Sequence, residues 1–320
     1  MPGGDRSTPL LDRRLVVVTG KGGTGKTTVS AAIAVLAARL GKRVLICEMD
    51  AKGSLAAAFD TGPLPFEPLQ VSENIWAMSM NTEDSLREYL RLFVHIPLVG
   101  RIGVLARTFD FVADAAPGVK EILSLGKLCY EVRERHYDMV IVDGVATGHV
   151  VAQLSAPDAI AELIKVGPVK DQTRWMQDIL QDTSCTGVVL VTTPEEMPVL
   201  ETTELIGRIA SETQVDVAAV VANRVLPELF GRSEEAVFDA LGEGAALDLL
   251  RRTAGESVDA VLDGARLAVA MRRSGAGHLE YLRQNVPPGI DFVYVPELFN
   301  RSTGRRSAEL IADALGEELL

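Results

Sequence analysis

Short apolar runs and longer amphipathic stretches alternate along this chain. The runs are rich in Val, Ile and Leu and are bounded by glycine or polar residues, a pattern typical of buried β-strands. They lie at 15–19, 44–47, 137–143, 187–192, 215–222 and 292–295. The stretches between them carry apolar residues at helical spacing. Strands that alternate with helices predict an α/β fold, in which a mostly parallel sheet is flanked by helices with right-handed crossovers.

A glycine-rich segment joins the first predicted strand to the first predicted helix. Residues 20–27 read Gly-Lys-Gly-Gly-Thr-Gly-Lys-Thr and fit the P-loop pattern G-x-x-x-x-G-K-T. In a P-loop, backbone N–H groups and the helix N-terminus bind phosphate. Lys26 is predicted to bridge the terminal phosphates, and the Thr27 hydroxyl to ligate Mg²⁺. The predicted ligands are therefore ATP and Mg²⁺, and the predicted binding residues are Gly22, Gly23, Thr24, Gly25, Lys26, Thr27 and Thr28.

Asp143 closes another apolar run, in the arrangement of four apolar residues followed by an acid that is typical of a Walker B strand. An acid at the end of a strand often only caps the next helix. Together with the P-loop, however, the pattern favours a carboxylate that holds a Mg²⁺-bound water. Thr27 and Asp143 thus form the predicted metal site.

Two long helical stretches, 82–135 and 230–288, interrupt the alternation of strands and helices. Ligands of parallel sheets bind at the carboxyl ends of the strands, so we expect these stretches to form a helical subdomain over the nucleotide site. Residues 1–12 are mostly polar and are predicted to be disordered. Residues 13–320 are then predicted to form a single P-loop ATPase domain.

The charge of the chain limits its partners. With 44 acidic and 32 basic residues, the formal net charge is −12, which argues against nucleic-acid binding because that requires a basic surface. Three widely separated cysteines indicate a reducing compartment. No run approaches the roughly 18 apolar residues of a membrane span. We therefore predict a cytoplasmic protein.

Several segments resemble one known ATPase family. Residues 21–28 (Lys-Gly-Gly-Thr-Gly-Lys-Thr-Thr) resemble the deviant Walker A motif shared by MinD, ParA and the nitrogenase iron protein. Residues 143–149 (Asp-Gly-Val-Ala-Thr-Gly-His) more specifically resemble the D-T-A-P-T-G-H switch of the ArsA and Get ATPases, which serve arsenite pumping and tail-anchored-protein targeting. Residues 190–198 and 221–227 extend the resemblance to the ArsA and Get members.

The resemblance implies a Mg²⁺-dependent ATPase that works as a dimer. Lys21 would reach across the dimer interface to the partner's nucleotide, and Asp50 would orient the attacking water. Lys21, Lys26 and Asp50 are therefore the predicted catalytic residues. Asn223 would read the edge of the adenine, and Pro296 would belong to the loop that encloses it. The dimer is predicted to contain two copies of this chain or this chain and a paralogue.

The first switch departs from the family pattern D-P-A-H-x-L-S-D-A-F. Residues 50–59 read Asp-Ala-Lys-Gly-Ser-Leu-Ala-Ala-Ala-Phe, so the Pro, the His and the second Asp are gone. Slow hydrolysis is therefore compatible with the sequence, and a non-hydrolysing nucleotide sensor or partner subunit is one alternative. A MinD- or ParA-like positioning ATPase is another, although the acidic residues 310–320 do not fit the basic membrane helix that it requires.

The resemblance also implies a hydrophobic client or membrane-protein partner. Two apolar sets are candidates for contact with such a client, or for plain core packing. One is the helical stripe of Trp175, Met176, Ile179 and Leu180, and the other is the apolar stretch 93–105.

Overall fold

A computed structural model of the protein describes residues 8–50, 52–89, 119–163, 168–255, 257–299 and 303–320. Within these ranges the strands form a single sheet in the order β3-β4-β2-β5-β1-β6-β7-β8. Neighbouring strands are parallel throughout, except that β3 is antiparallel to β4. The strands are β1 (Leu15–Gly20), β2 (Val44–Glu48), β3 (Leu69–Ser72), β4 (Ile75–Ser79), β5 (Met139–Ala146), β6 (Thr186–Thr192), β7 (Val217–Val225) and β8 (Asp291–Pro296). The predicted α/β fold with a mostly parallel sheet is confirmed.

Helices flank both faces of the sheet. They are α1 (Lys26–Arg39), α2 (Ser54–Ala58), α3 (Thr82–Tyr89), α4 (Val119–Arg133), α5 (Thr147–Leu163), α6 (Pro168–Gln181), α7 (Glu196–Glu212), α8 (Arg232–Leu241), α9 (Gly244–Ala254), α10 (Ser257–Asn285) and α11 (Arg305–Leu319). No helix among the described residues is long and apolar enough to cross a membrane.

The two faces of the sheet bury two separate apolar cores. Along β1, Val16 and Val18 pack into the core that contains α1 and α11, whereas Leu15 and Val17 pack into the core that contains α4 to α7. A strand that is buried on both faces reads as a continuous apolar run, which explains why the central strands were predictable. β3 was not predicted, because it is a partly exposed edge strand without such a run.

For residues 10–12 the predicted disorder is wrong. Leu10–Asp12 form a 3₁₀-helix, and Leu10 and Leu11 are buried against the first core. The adjoining Arg13 is fully buried: it donates to the carbonyl of Thr186 at 2.6 Å and forms an ion pair with Asp216 at 2.6 Å. The ordered domain therefore begins before residue 13.

The predicted helical stretches do not behave as one separate layer. Leu128 and Cys129 of α4 and Leu282 of α10 are buried in the second core, so these segments belong to the helical cover of the sheet. By contrast, α9 has no buried residue. A subdomain over the nucleotide site remains a prediction for the rest of these stretches.

The stripe on α6 is core. Met176 and Leu180 are buried, and Trp175 and Ile179 pack against the same cluster. The client-binding interpretation of this stripe is therefore wrong. The apolar stretch 93–105 lies outside the described residues.

Candidate nucleotide site

The glycine-rich loop folds back on itself between β1 and α1. The Thr24 hydroxyl donates to the carbonyl of Lys21 at 2.9 Å, and the amino group of Lys26 donates to the same carbonyl at 3.3 Å. Gly25 has φ of +92°, and a Cβ at this position would lie 2.3 Å from Nδ2 of Asn223. Only glycine fits both the dihedral and the space.

The loop borders a cavity of about 600 Å³. Burial lowers the pKa of the Lys26 amino group, while the charge of Asp143 opposes that shift. The predicted residues that line the cavity are Gly22, Gly23, Gly25, Lys26, Thr27, Thr28, Asp50 and Asp143. Lys21 and Thr24 of the loop, and Asn223 of β7, are not among the lining residues. The sequence motifs therefore converge on one concave site.

The two predicted metal-site residues contact each other. The Thr27 hydroxyl donates to Oδ2 of Asp143 at 2.7 Å, and the buried hydroxyl of Ser30 donates to Oδ1 at 3.1 Å. Burial raises the pKa of Asp143, the two hydroxyl donors lower it and the nearby carboxylate of Glu48 raises it, with a net rise to about 6. A buried carboxylate with an adjacent hydroxyl is a site that a cation would stabilise.

The chemistry of these donors fits Mg²⁺. A hydroxyl and a carboxylate are the hard oxygen ligands that Mg²⁺ prefers, and Mg²⁺ at nucleotide sites relies on phosphate and water for its other ligands. Within the described ranges, no group of three or more His, Cys, Asp or Glu side chains could hold a metal ion by itself. A cation here would thus depend on Thr27, Asp143 and the phosphates of a nucleotide.

Glu48 anchors the first switch. Its side chain is buried at the end of β2, and its carboxylate accepts hydrogen bonds from the backbone N–H groups of Gly53 (3.2 Å), Ser54 (2.8 Å) and Leu55 (3.3 Å). These N–H groups belong to the first turn of α2, where a negative charge is favourable. Glu48 is therefore the cap of α2.

Lys21 forms an ion pair with Glu201 of α7 in the same chain. About 30% of each side chain is exposed, with 31% for Lys21 and 29% for Glu201. The other carboxylate oxygen of Glu201 lies 3.5 Å from the hydroxyl of Thr147, the first residue of α5 in the second switch. One carboxylate therefore connects the loop lysine to the segment that follows Asp143.

A family model described as an anion-transporting ATPase matches residues 13–170 and 161–236. The chain belongs to the anion-transporting (ArsA-type) ATPase family. The match covers the P-loop, both switches and most of the sheet, and the resemblance of the sequence motifs to this family is confirmed.

The names of similar proteins are consistent with this family. ATPase BagA of Mycobacterium tuberculosis is 33% identical over 225 residues, which span 67% of this chain and 66% of BagA. A putative arsenical pump-driving ATPase 2 of Aquifex aeolicus is 29% identical over 247 residues, spanning 67% of this chain and 81% of that protein. An ATPase ASNA1 homolog of Babesia bovis is 26% identical over 269 residues and 71% of each chain.

The first switch of this family member contains an ion pair between Lys52 and Asp50. Lys52 donates to the carboxylate of Asp50 at 2.8 Å, and both side chains line the cavity. The pairing with Asp50 raises the pKa of Lys52. Lys52 also lies close enough to Lys26 for its charge to lower the pKa of the Lys26 amino group, and sequence reasoning assigned Lys52 no role.

Asn223 is buried near the end of β7, where it contacts the P-loop. Its Nδ2 donates to the carbonyl of Thr24 at 2.8 Å, and its Oδ1 accepts from the backbone of Arg224 at 3.0 Å. Nδ2 keeps a second hydrogen and Oδ1 keeps a second lone pair for a further hydrogen bond, such as one to the edge of a base. Pro296 does not line the 600 Å³ cavity but a second one of about 530 Å³, together with Leu226.

Sequence reasoning missed several other lining residues. Arg224 has φ of +59°, which turns the chain at the end of β7, and it lines the cavity. Gly304 and Ser307, at the start of α11, also line it. No local motif marks Gly304 and Ser307, because they reach the cavity only through the packing of α11 beside α1 and α2.

Proposed function

We propose that this family member is a Mg²⁺-dependent ATPase that works as a dimer. The observation that carries the proposal is the convergence of Lys26, Thr27, Asp50 and Asp143 on the one cavity that the P-loop borders. Its volume of about 600 Å³ is in the range of nucleotide-sized ligands. The family supports nucleotide binding.

The residues around the cavity take separate roles in this proposal. The loop backbone and Lys26 bind the phosphates, as in other P-loops. Thr27 and Asp143 hold Mg²⁺, whose charge neutralises the phosphate oxygens when it is bound. Asp50, an exposed carboxylate beside the phosphate region, orients the attacking water and withdraws from Lys52 to do so. Asn223 and Pro296 do not line this cavity, so their contact with the base remains a prediction.

Dimer formation supplies the missing positive charge. Lys21 is held by Glu201 on its own chain and does not line the cavity. In the proposed ATP-bound dimer it crosses to the partner's phosphates and stabilises the charge of the transition state. The proposed partner is a second copy of this chain or a paralogue.

The proposed output is the handling of a hydrophobic client in the cytoplasm. Apolar side chains that are more than half exposed support a client surface on α8, α9 and α10, namely Val237, Leu249, Val261, Leu267 and Met271. The buried and free thiols of Cys47, Cys129 and Cys185 suit a reducing compartment.

A specific observation supports one alternative to an active ATPase. The ion pair between Asp50 and Lys52 occupies the carboxylate that would orient water, and this favours a slow or non-hydrolysing sensor or partner subunit. A MinD- or ParA-like positioning role is less well supported. The apolar side of α11, with Ile311 and Leu315, is buried in the first core and is therefore unavailable to a membrane.

The test is phosphate release from ATP by the wild type and by Lys21→Ala and Asp50→Asn, with the oligomeric state measured in ATP and ADP. Each substitution should lower kcat by about a hundredfold or more. Asp248→Asn, an exposed carboxylate on α9, is the matched control and should leave kcat unchanged. A wild type that binds ATP without releasing phosphate would replace the ATPase proposal with the sensor alternative.

A further inference from the structure

Among the described residues, Glu201 is the acidic side chain that forms an ion pair with Lys21. The ion pair joins the start of the P-loop to the second turn of α7 and leaves both side chains about 30% exposed. The pair is intramolecular, whereas the proposed catalytic use of Lys21 is intermolecular. The same amino group cannot reach the partner's phosphates while it stays on Glu201.

The free energy of this pair therefore opposes closure of the dimer. A contact that exists only in the open subunit favours the open subunit over the closed dimer by the free energy of that contact. Closure breaks one such pair in each of two subunits. For a two-fold dimer the effect on the dissociation constant is the square of the effect in one subunit.

We propose that Glu201 is a positioning residue that holds Lys21 in the resting subunit and releases it when the ATP-bound dimer closes. This inference rests on the proposed ATPase function and adds to it a residue that sets the ATP requirement for closure. Glu201 acts through Lys21 and contacts no phosphate in this account.

The second oxygen of Glu201 gives the release a trigger. It lies 3.5 Å from the hydroxyl of Thr147, which begins α5 four residues after Asp143. Movement of this segment when a cation and phosphates bind near Asp143 changes the surroundings of Glu201. The carboxylate is thus placed to couple the second switch to the release of Lys21.

The first measurement needs neither catalysis nor a dimer. Acetylation of Lys21 by an amine-reactive ester is followed by mass spectrometry in the nucleotide-free wild type, Glu201→Gln and Glu204→Gln. Glu204 is exposed one turn further along α7 and serves as the matched control. Lys21 should react about two- to fivefold faster in Glu201→Gln only, as expected for loss of a partly exposed ion pair.

The second measurement is the dissociation constant of the dimer in saturating ATP and Mg²⁺. Two such pairs lost together should lower it by about four- to twenty-five-fold in Glu201→Gln, and Glu201→Asp should stay near the wild type. In a Lys21→Ala background the Glu201→Gln change should have no further effect, because the pair is already gone. A gain in dimer formation cannot arise from misfolding.

The outcomes separate the two proposals. If the wild type forms an ATP-dependent dimer and Glu201→Gln does not tighten it, the role of Glu201 is refuted and the ATPase proposal stands. If the wild type neither dimerises nor hydrolyses ATP, the proposed function is refuted, and so is the role of Glu201 in closure. Acetylation of Lys21 that is equally fast in the wild type and Glu201→Gln refutes the resting pair itself.

Discussion

The Thr27 hydroxyl donates a 2.7 Å hydrogen bond to the buried carboxylate of Asp143. The two residues lie 116 positions apart in sequence and meet because β1 and β5 are parallel neighbours in the sheet. Their contact places the hydroxyl of the P-loop and the acid of the Walker B strand at one point on the cavity wall.

Asp143→Asn should stabilise the nucleotide-free protein at neutral pH. The pKa of Asp143 is about 6 in the fold against an ordinary value of 3.8, so the folded protein binds more protons than the unfolded chain between these pH values. Its stabilising protonated form is fully present below about pH 4 and is lost as pH rises through 6. The substitution should raise the free energy of unfolding at pH 7.5 by roughly 1 to 3 kcal/mol.

Thermal and urea unfolding at pH 5 and pH 7.5 measure this effect. The gain should shrink at pH 5, where the wild-type carboxyl is largely protonated. The same variant should lose Mg²⁺-dependent phosphate release, since the amide has no charge for the cation. Equal stability of wild type and variant at both pH values would contradict a buried carboxylate whose pKa is raised by the fold.

Glu48→Gln should uncouple nucleotide binding from hydrolysis. The two carboxylate oxygens accept hydrogen bonds from three backbone N–H groups of the first switch. Glutamine keeps one accepting oxygen, and its NH₂ group cannot accept the hydrogen bond made to the other. We expect a loss of about 1 to 3 kcal/mol in unfolding free energy and a lower kcat. ATP affinity, measured by titration calorimetry, should change little because the P-loop is intact. A variant with wild-type kcat would show that the cap of α2 does not position Asp50.

Gly25→Ala and Gly22→Ala form a matched pair within one loop. A Cβ on Gly25 would collide with Asn223 and would require φ of +92°, whereas a Cβ on Gly22 has nothing within 4 Å in this structure. Gly25→Ala should cost about 1 to 3 kcal/mol of stability, and Gly22→Ala less than about 0.5. Denaturant unfolding without nucleotide gives both values. Equal losses in the two variants would argue against the contact between Gly25 and Asn223.

Much of this site was predictable because its parts are local. The P-loop, the acid at the end of β5 and the central strands each carry their signal in a short, continuous segment. The roles of Glu48 and Glu201 are not local, since each depends on where a helix is packed. The same limit explains the stripe with Met176, whose spacing was visible but whose burial in the core was not.

The most direct test of the central claim, that Lys21 acts across a dimer, is to mix two inactive variants. Lys21→Ala keeps Asp50, and Asp50→Asn supplies Lys21 to its partner. Random pairing makes half of the dimers mixed, each with one complete site, so mixing should restore about a quarter of the wild-type phosphate release. Mixtures that stay as inactive as the separate variants would contradict a lysine that acts in trans.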